Sequence, residues 1–553
     1  MFDDCRIKVS NTAIWVENYH KLGECSQLER PFQVYDPVYH KFNYVGIYLD
    51  EKNHRLYLPG GIDLWWVRRA LGEKYYTRVE NHPYKTIPNI MIKYKPRDDE
   101  QVQTLKFTAG LDEYAENVNA PQLSINLSTG KGKTYCSIAT ISYYKIKSMI
   151  ITGSSTLLNQ WQENIIEYTN LKESDILRIN GSDQCNMILN GSSGKAKNAS
   201  IFLCSHGTLR SFGERYGWDR LYKLFETLGI GMKFYDECHT NFENMYMIDF
   251  FTNVWKTFYV TATPGRSNWK ENTIFQISLK NVPSIDLFDE NNDPHTDYIA
   301  IKWNSNPSPT ELSFCNSKMY GLDRNRYMDY LTRKPEFYEM MRIAMDLVIK
   351  CKGRVLMYIG TNESILRVYW WIGQNYPEFL GDIGVFTSLL SKEEKMEAKK
   401  KKLILSTTKS AGLGEHIDHL KMTMVIDEPF KSDVLARQTL GRTRDQGTLY
   451  VEFVDLGFKY TKKYYYAKLP TFNKYAKGVS DMTIDKQEMS RRSYSLENSR
   501  IDPAWCPIEF HDTRFDFDPI IPSFLKKVDN QPDCPIRFVR RPNDNNPRGF
   551  RAY

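Results

Sequence analysis

Short, almost wholly apolar runs recur through the middle of the chain: Leu123 to Leu127, Met149 to Thr152, Ile201 to Cys204, Met232 to Tyr235 and Phe258 to Val260. A second series follows at Arg354 to Ile359, Ile383 to Phe386, Leu403 to Leu405, Met422 to Ile426 and Leu449 to Val454. Strands buried on both faces read as continuous apolar runs, and helix-length segments separate these. The pattern predicts two parallel α/β sheets, over 96–265 and 335–460. Residues 1–95 differ: FNYVGIYLD and HRLYLPGGIDL are short alternating runs with turns, which predict a small N-terminal accessory domain of antiparallel strands. Between the two series, 266–334 opens on NVPSIDLFDENNDPHTD and reads as a connector or insertion. Over 461–553 Pro, Asn, Asp and Arg accumulate, which predicts an irregular C-terminal extension, partly extended or disordered. No internal repeat is present.

Composition narrows the class. Of 553 residues, 41% are hydrophobic and 25% charged, which excludes a mainly disordered or collagen-like chain. No long uncharged apolar window occurs, so no membrane span is expected. The start, MFDDCRIKVS, lacks the apolar core of a secretory signal, and a cytoplasmic location is expected. The ten Cys are scattered without a C-x-x-C pair, which argues against structural zinc or disulfides. The net charge of +7 is mild and compatible with a polyanion held along one groove.

The candidate chemistry sits where predicted strands end. The first run leads into Ser128, Thr129, Gly130, Lys131, Gly132, Lys133 and Thr134, followed by a helical pattern. That is the context of a phosphate-binding loop: glycines admit close approach of backbone N–H groups, Lys133 adds a point charge, and Thr134 can ligate Mg2+. Leu127 stands where the strict pattern has Gly. GMKFYDECHT ends a strand on Asp236, placed to hold Mg2+, and Glu237, placed to polarise an attacking water. His239, and Thr261 and Thr263 of TFYVTATPGRS, are candidates for coupling that site to its neighbours. In the second series Ser406, Thr407 and Thr408 end a strand, with Asp418 beyond them, and Gln438 and Arg442 share one helix face.

In order and context these segments resemble the motifs of superfamily 2 nucleic-acid helicases of the DEAD/DECH type, over about residues 97–456. STGKGKT resembles motif I, ITGSSTLLNQW motif Ia, CSHGTL motif Ib, DECH motif II, TAT motif III, RVLMYIGT motif IV, STTKSAGLGEHID motif V and QTLGRTR motif VI. The resemblance implies two tandem RecA-like lobes and nucleic-acid-dependent ATP hydrolysis with Mg2+. It assigns nucleotide contacts to the Ser128–Thr134 loop and Asp418. An arginine finger falls on Arg442 or Arg444, since Asp445 stands where motif VI carries its second Arg. An adenine-reading glutamine falls on Gln101 or Gln103. Thr152, Ser154, Thr208 and Thr407 are the expected phosphate contacts along nucleic acid.

Within the superfamily the arrangement looks most like phage and viral DNA helicases of the UvsW and RecG types, which serve recombination and repair. The expected function is therefore an ATP-dependent helicase or translocase acting on single-stranded or branched DNA. The alternatives are an RNA helicase, a translocase that remodels protein–nucleic-acid complexes without unwinding, and a scaffold with a decayed ATPase. Trp65 and Trp66 beside Arg68 and Arg69 make residues 1–95 a substrate-recognition candidate, and the arginine-rich end at 537–553 a site for polyanion or a protein partner.

Overall fold

The computed structural model describes residues 4–484 except 37–39, 73–74, 128–130, 154, 239–241, 262–268, 288–295, 318–320, 388–389, 412–416, 418, 428–429, 431–432, 441 and 443–446. The chain divides into two compact units, Met1–Glu290 and Asn291–Tyr553.

In the first unit seven parallel strands stand in the order Ile176–Ile179, Ile201–Ser205, Ser148–Thr152, Met232–Asp236, Lys256–Thr261, Gln122–Leu127 and Ser284–Leu287. The four strands Ser148–Thr152, Met232–Asp236, Lys256–Thr261 and Gln122–Leu127 are buried along their whole length, which accounts for their apolar runs and leaves polar members such as Ser124, Lys233 and Lys256 buried as well. Parallel pairing requires crossovers, supplied by helices such as Lys133–Tyr144 and Ser155–Tyr168. It also brings all carboxyl ends to one edge, where Leu127, Thr152, Asp236 and Thr261 end their strands. Register stacks Phe234 on Phe258 (4.4 Å between ring centroids) and Tyr235 on Tyr259 (5.7 Å) on opposite faces of the sheet.

Residues 1–95 carry their own sheet, in the order Tyr48–Asp50, Arg55–Pro59, Ala13–Glu17, Arg6–Val9 and Tyr76–Arg78. It is antiparallel except for the last pair. Its core is continuous with that of the first lobe. Tyr48 and Tyr57, paired across strands, pack on Phe251, and Tyr57 also meets Phe250. Trp66 packs near Phe32, whereas Trp65 is 57% exposed with the Arg69 guanidinium over its ring at 5.1 Å.

Polar groups close the same junction. The Thr12 hydroxyl donates to the Asp249 carbonyl at 2.8 Å, and the Asn11 amide donates to the carbonyls of Val254 and Trp255. The Asp249 carboxylate accepts from the hydroxyls of Tyr235 and Tyr259, each at 2.7 Å, and pairs with the fully buried Lys233. Burial pulls the Lys233 ammonium down from its ordinary range, and Asp249 opposes that pull.

The second unit repeats the architecture with seven parallel strands in the order Ile383–Phe386, Leu403–Ser406, Arg354–Ile359, Leu420–Ile426, Thr448–Asp455, Thr296–Trp303 and Val479–Thr483. The segment 266–334 thus contributes Ser284–Leu287 to the first sheet and Thr296–Trp303 to the second. The first part of 461–553 is also built in, as most of helix Lys459–Tyr475 and strand Val479–Thr483. Residues 485–553, with the arginine-rich end, lie outside the described residues. Among the described residues no helix is long and apolar enough to cross a membrane.

Removing one member of a buried ion pair leaves an uncompensated charge and costs about 3–5 kcal/mol. Asp249→Ala is expected to destabilise the first unit by that order, read as a lower urea midpoint. An unchanged midpoint would contradict the role given to this carboxylate.

Candidate nucleotide-binding site

The site is assembled at the carboxyl edge of the first sheet, where ligands of open parallel sheets bind. Strand Gln122–Leu127 ends at the loop, and helix Lys133–Tyr144 begins at its far side. Gly132 caps that helix with φ 83°, a left-handed conformation that favours glycine. A Cβ there would stand 2.2 Å from the Gln101 amide nitrogen, so this position is also closed by packing.

Gln101 comes from helix Asp99–Ala109, which Asp98 caps by accepting from the Gln101 N–H at 2.9 Å. Its side chain accepts from the Arg97 N–H at 2.8 Å and donates to the Lys131 carbonyl at 3.4 Å. The neighbouring Glu100 pairs with the Lys131 ammonium at 2.7 Å. Of the two candidate glutamines, Gln101 lies against the loop, and Gln103 instead donates to the Tyr114 hydroxyl. The Lys133 ammonium donates to the Leu127 carbonyl at 3.4 Å across the base of the loop. Thr134 is half-buried in the first turn of the helix.

Asp236 ends strand Met232–Asp236 and is almost fully buried. Burial, together with the charge of Glu237, raises its carboxyl to about 6, against the lowering effects of the Trp161 hydrogen bond and of Lys133. Glu237 follows with φ 52°, a left-handed conformation that is costly for a residue bearing a Cβ. The chain is held there in part by the Cys238 N–H, which donates to the Val260 carbonyl at 3.2 Å, one residue before Thr261.

A partner that the sequence pattern does not reveal is Trp161. Its indole N–H, on helix Ser155–Tyr168, donates to Asp236 Oδ2 at 2.8 Å, and both side chains are buried. The helix following the Thr152 strand is therefore bonded directly to the acidic motif. His206, also buried, stacks on Tyr235 at 5.7 Å, and burial pushes its imidazole down to about 4.

The other sequence candidates are spread along the same edges. Thr152 and Thr261 end their strands fully buried, and Thr208 is half-buried in the first turn of helix His206–Tyr216. The Thr208 N–H donates to Ser205 Oγ at 3.1 Å, and the Ser205 hydroxyl donates to Thr208 Oγ1 at 2.9 Å. In the second unit Thr407 is 8% exposed and donates to Ser410 Oγ at 3.0 Å. Arg442 lies beside Tyr358, hydrogen-bonding its hydroxyl; burial pushes that phenol up to about 12 against the pull of the guanidinium. Ser128, Thr129, Gly130, Ser154, His239, Thr263, Asp418 and Arg444 lie outside the described residues, as does the side chain of Gln438.

The donor set fits Mg2+, which commonly takes one or two protein oxygens and completes its shell with phosphate and water. Asp236 supplies a carboxylate beside a second carboxyl, and Thr134 a hydroxyl at the helix start. Among the described residues no cluster of three or more His, Cys, Asp or Glu offers an all-protein cage.

A parallel sheet thus brings a glycine-capped helix start, Lys133, the buried Asp236 and the half-buried Glu237 to its carboxyl edge. Residues 93–266 match the family described as "Type III restriction enzyme, res subunit", a helicase-family domain, so the superfamily 2 resemblance holds for this lobe. No curated protein matches the chain. Among solved structures it is similar to T4 UvsW, at 13% identity and a TM-score of 0.32, covering 87% of this chain and 99% of that one. It is also similar to S. cerevisiae Dbp5 bound to RNA and ADP BeF3, at 13% identity and a TM-score of 0.47, covering 71% of this chain and 93% of that one.

A hydrogen bond to a charged group is worth about 1.5–3 kcal/mol. Trp161→Phe keeps the ring and removes the N–H. In a double-mutant cycle with Asp236→Ala, a coupling of about 1.5 kcal/mol or more is expected in unfolding free energy. Additive effects would show that the bond contributes nothing.

Proposed function

We propose that the chain is an ATP-dependent motor of superfamily 2 that moves along or remodels DNA, single-stranded or branched. The observation that carries this reading is the convergence of Lys133, Thr134, Asp236 and Glu237 on one edge of the sheet, with Gln101 packed against the loop. The choice of DNA rests on the arrangement of a small N-terminal unit and compact lobes, which resembles that of phage and viral DNA helicases.

In this reading Lys133 and the N–H groups at the start of helix Lys133–Tyr144 neutralise the phosphates of ATP. Thr134 and Asp236 would hold Mg2+, which supplies further neutralisation of the phosphate charge. Trp161 fixes the Asp236 carboxylate by occupying one of its oxygens. Glu237, adjacent in sequence and turned by its left-handed backbone, orients the attacking water and accepts its proton. The resemblance assigns the arginine finger to Arg442 or Arg444, whose charge would stabilise the transferring phosphate. Thr152, Ser154, Thr208 and Thr407 serve the polymer side. Contacts of that kind are backbone-directed and salt-sensitive, and do not read sequence.

Lys133→Ala is expected to lower DNA-stimulated ATP hydrolysis by about 100-fold or more while DNA affinity stays within about twofold, since the lysine touches phosphate of the nucleotide alone. A steady-state ATPase assay beside a DNA-binding titration checks both. Undiminished hydrolysis would remove Lys133 from the site.

A further inference from the structure

Helix Lys459–Tyr475 lies on the second unit and belongs to none of the motifs above. Residues 459–477 contain six lysines and no acidic residue besides, in a chain whose net charge is +7. The two faces of the helix are sharply different. Inward, Phe472 stacks on Tyr298 at 3.9 Å and lies 5.3 Å from Tyr450. Lys468, 2% exposed, pairs with the buried Glu452, which also accepts from the Tyr298 hydroxyl at 2.7 Å. The helix is thereby anchored by its aromatic residues and by Lys468, whose charge Glu452 neutralises.

Outward, Lys459, Lys462, Lys463, Tyr466, Lys474 and Lys477 stand on the solvent side, with Tyr466 61% exposed. At 100° per residue the helical positions among these fall in a single stripe, continued by Asn473. Among the described residues no carboxylate pairs with Lys459, Lys462 or Lys463. From Lys459 to Lys474 the stripe runs about 22 Å at 1.5 Å per residue. Concentrating like charge on one rigid face costs self-repulsion, which binding a polyanion would relieve.

We infer that this stripe is a docking track for the phosphate backbone of duplex DNA, separate from the motifs that handle ATP and the translocating strand. Duplex is favoured over single-stranded nucleic acid by the chemistry of the face. Single strands are gripped by several stacking aromatics in a groove, and here Tyr466 is the one aromatic residue of the stripe. Lys459, Lys462 and Lys463 stand on one face of the helix before its interior Pro470, and lysine point charges so spaced suit backbone phosphates. The track would hold the duplex while the motor works on it. The inference deepens the motor reading above and rests on it.

The test uses the full chain and fluorescence anisotropy with duplex and single-stranded DNA of equal length, over a range of salt. For Lys459→Ala, Lys462→Ala, Lys463→Ala combined, duplex affinity is expected to fall roughly tenfold or more. The slope of log affinity against log salt should flatten by about 2.7, at about 0.9 for each phosphate no longer neutralised. Single-strand affinity should change far less. The matching triple Arg variant should retain duplex binding. Removing three lysines of the first unit, Lys195, Lys197 and Lys223, should leave the slope unchanged, which separates a local track from net charge. Thermal melting by circular dichroism verifies that each variant is folded. An unchanged slope in the Lys459/Lys462/Lys463 variant, or an equal loss in the control, overturns the track while the motor reading stands. A loss confined to single strands also overturns it. A wild-type chain that binds no DNA of either kind overturns both.

Discussion

Two adjacent carboxyls, Asp236 and Glu237, sit at the end of a strand that is buried along its whole length, and the organisation of the first unit follows from that constraint. A carboxylate removed from water is costly unless it is bonded or neutralised. Here the compensation comes from several directions: the Trp161 indole from helix Ser155–Tyr168, the charge of Lys133, and the backbone N–H of Glu237. Burial and the neighbouring charge of Glu237 still hold Asp236 up at about 6. A cation at this edge would relieve that cost, and it could in turn bridge the carboxylate to a polyanionic ligand.

The same strand carries a second buried charge on its other face. Lys233 and Asp249 form the hub onto which residues 1–95 are bonded through Thr12, while Tyr235 and Tyr259 tie the hub to the strands that end in Asp236 and Thr261. The small N-terminal sheet is therefore built onto the first seven-stranded sheet, and its aromatic contacts with Phe250 and Phe251 continue the same core. Trp65, with Arg69 over its ring, stays exposed, while Trp66 is partly taken up by packing.

The two-sheet α/β architecture was legible because central parallel strands cannot hide their burial: Met149 to Ile151 or Met422 to Ile426 admit almost nothing polar. The edge strands were not: Ser284–Leu287 and Val479–Thr483 carry Asp286 and Asp481 and show only partial burial. Nor was the inner strand Thr296–Trp303, which follows in sequence on the polar run DENNDPH. The place of Asp236 and Glu237 at a strand end was legible in the sequence, and Gln101 was one of two glutamines that the resemblance offered; its bond to the Lys131 carbonyl and its packing against Gly132 put it, rather than Gln103, beside the loop. The Trp161–Asp236 bond was not legible, because it joins residues 75 positions apart whose local patterns are each satisfied by burial alone. Long-range polar partnerships of this kind depend on which strands become neighbours, and the sheet order alone decides that.

The central claim is that hydrolysis at this site is coupled to a nucleic-acid polymer. The direct measurement is ATP turnover by the full chain with no polymer, then with single-stranded DNA, duplex DNA, a four-way junction and RNA at equal nucleotide concentration. The account predicts a low rate alone and strong stimulation by DNA, greatest with the branched substrate. A rate indifferent to every polymer would contradict it.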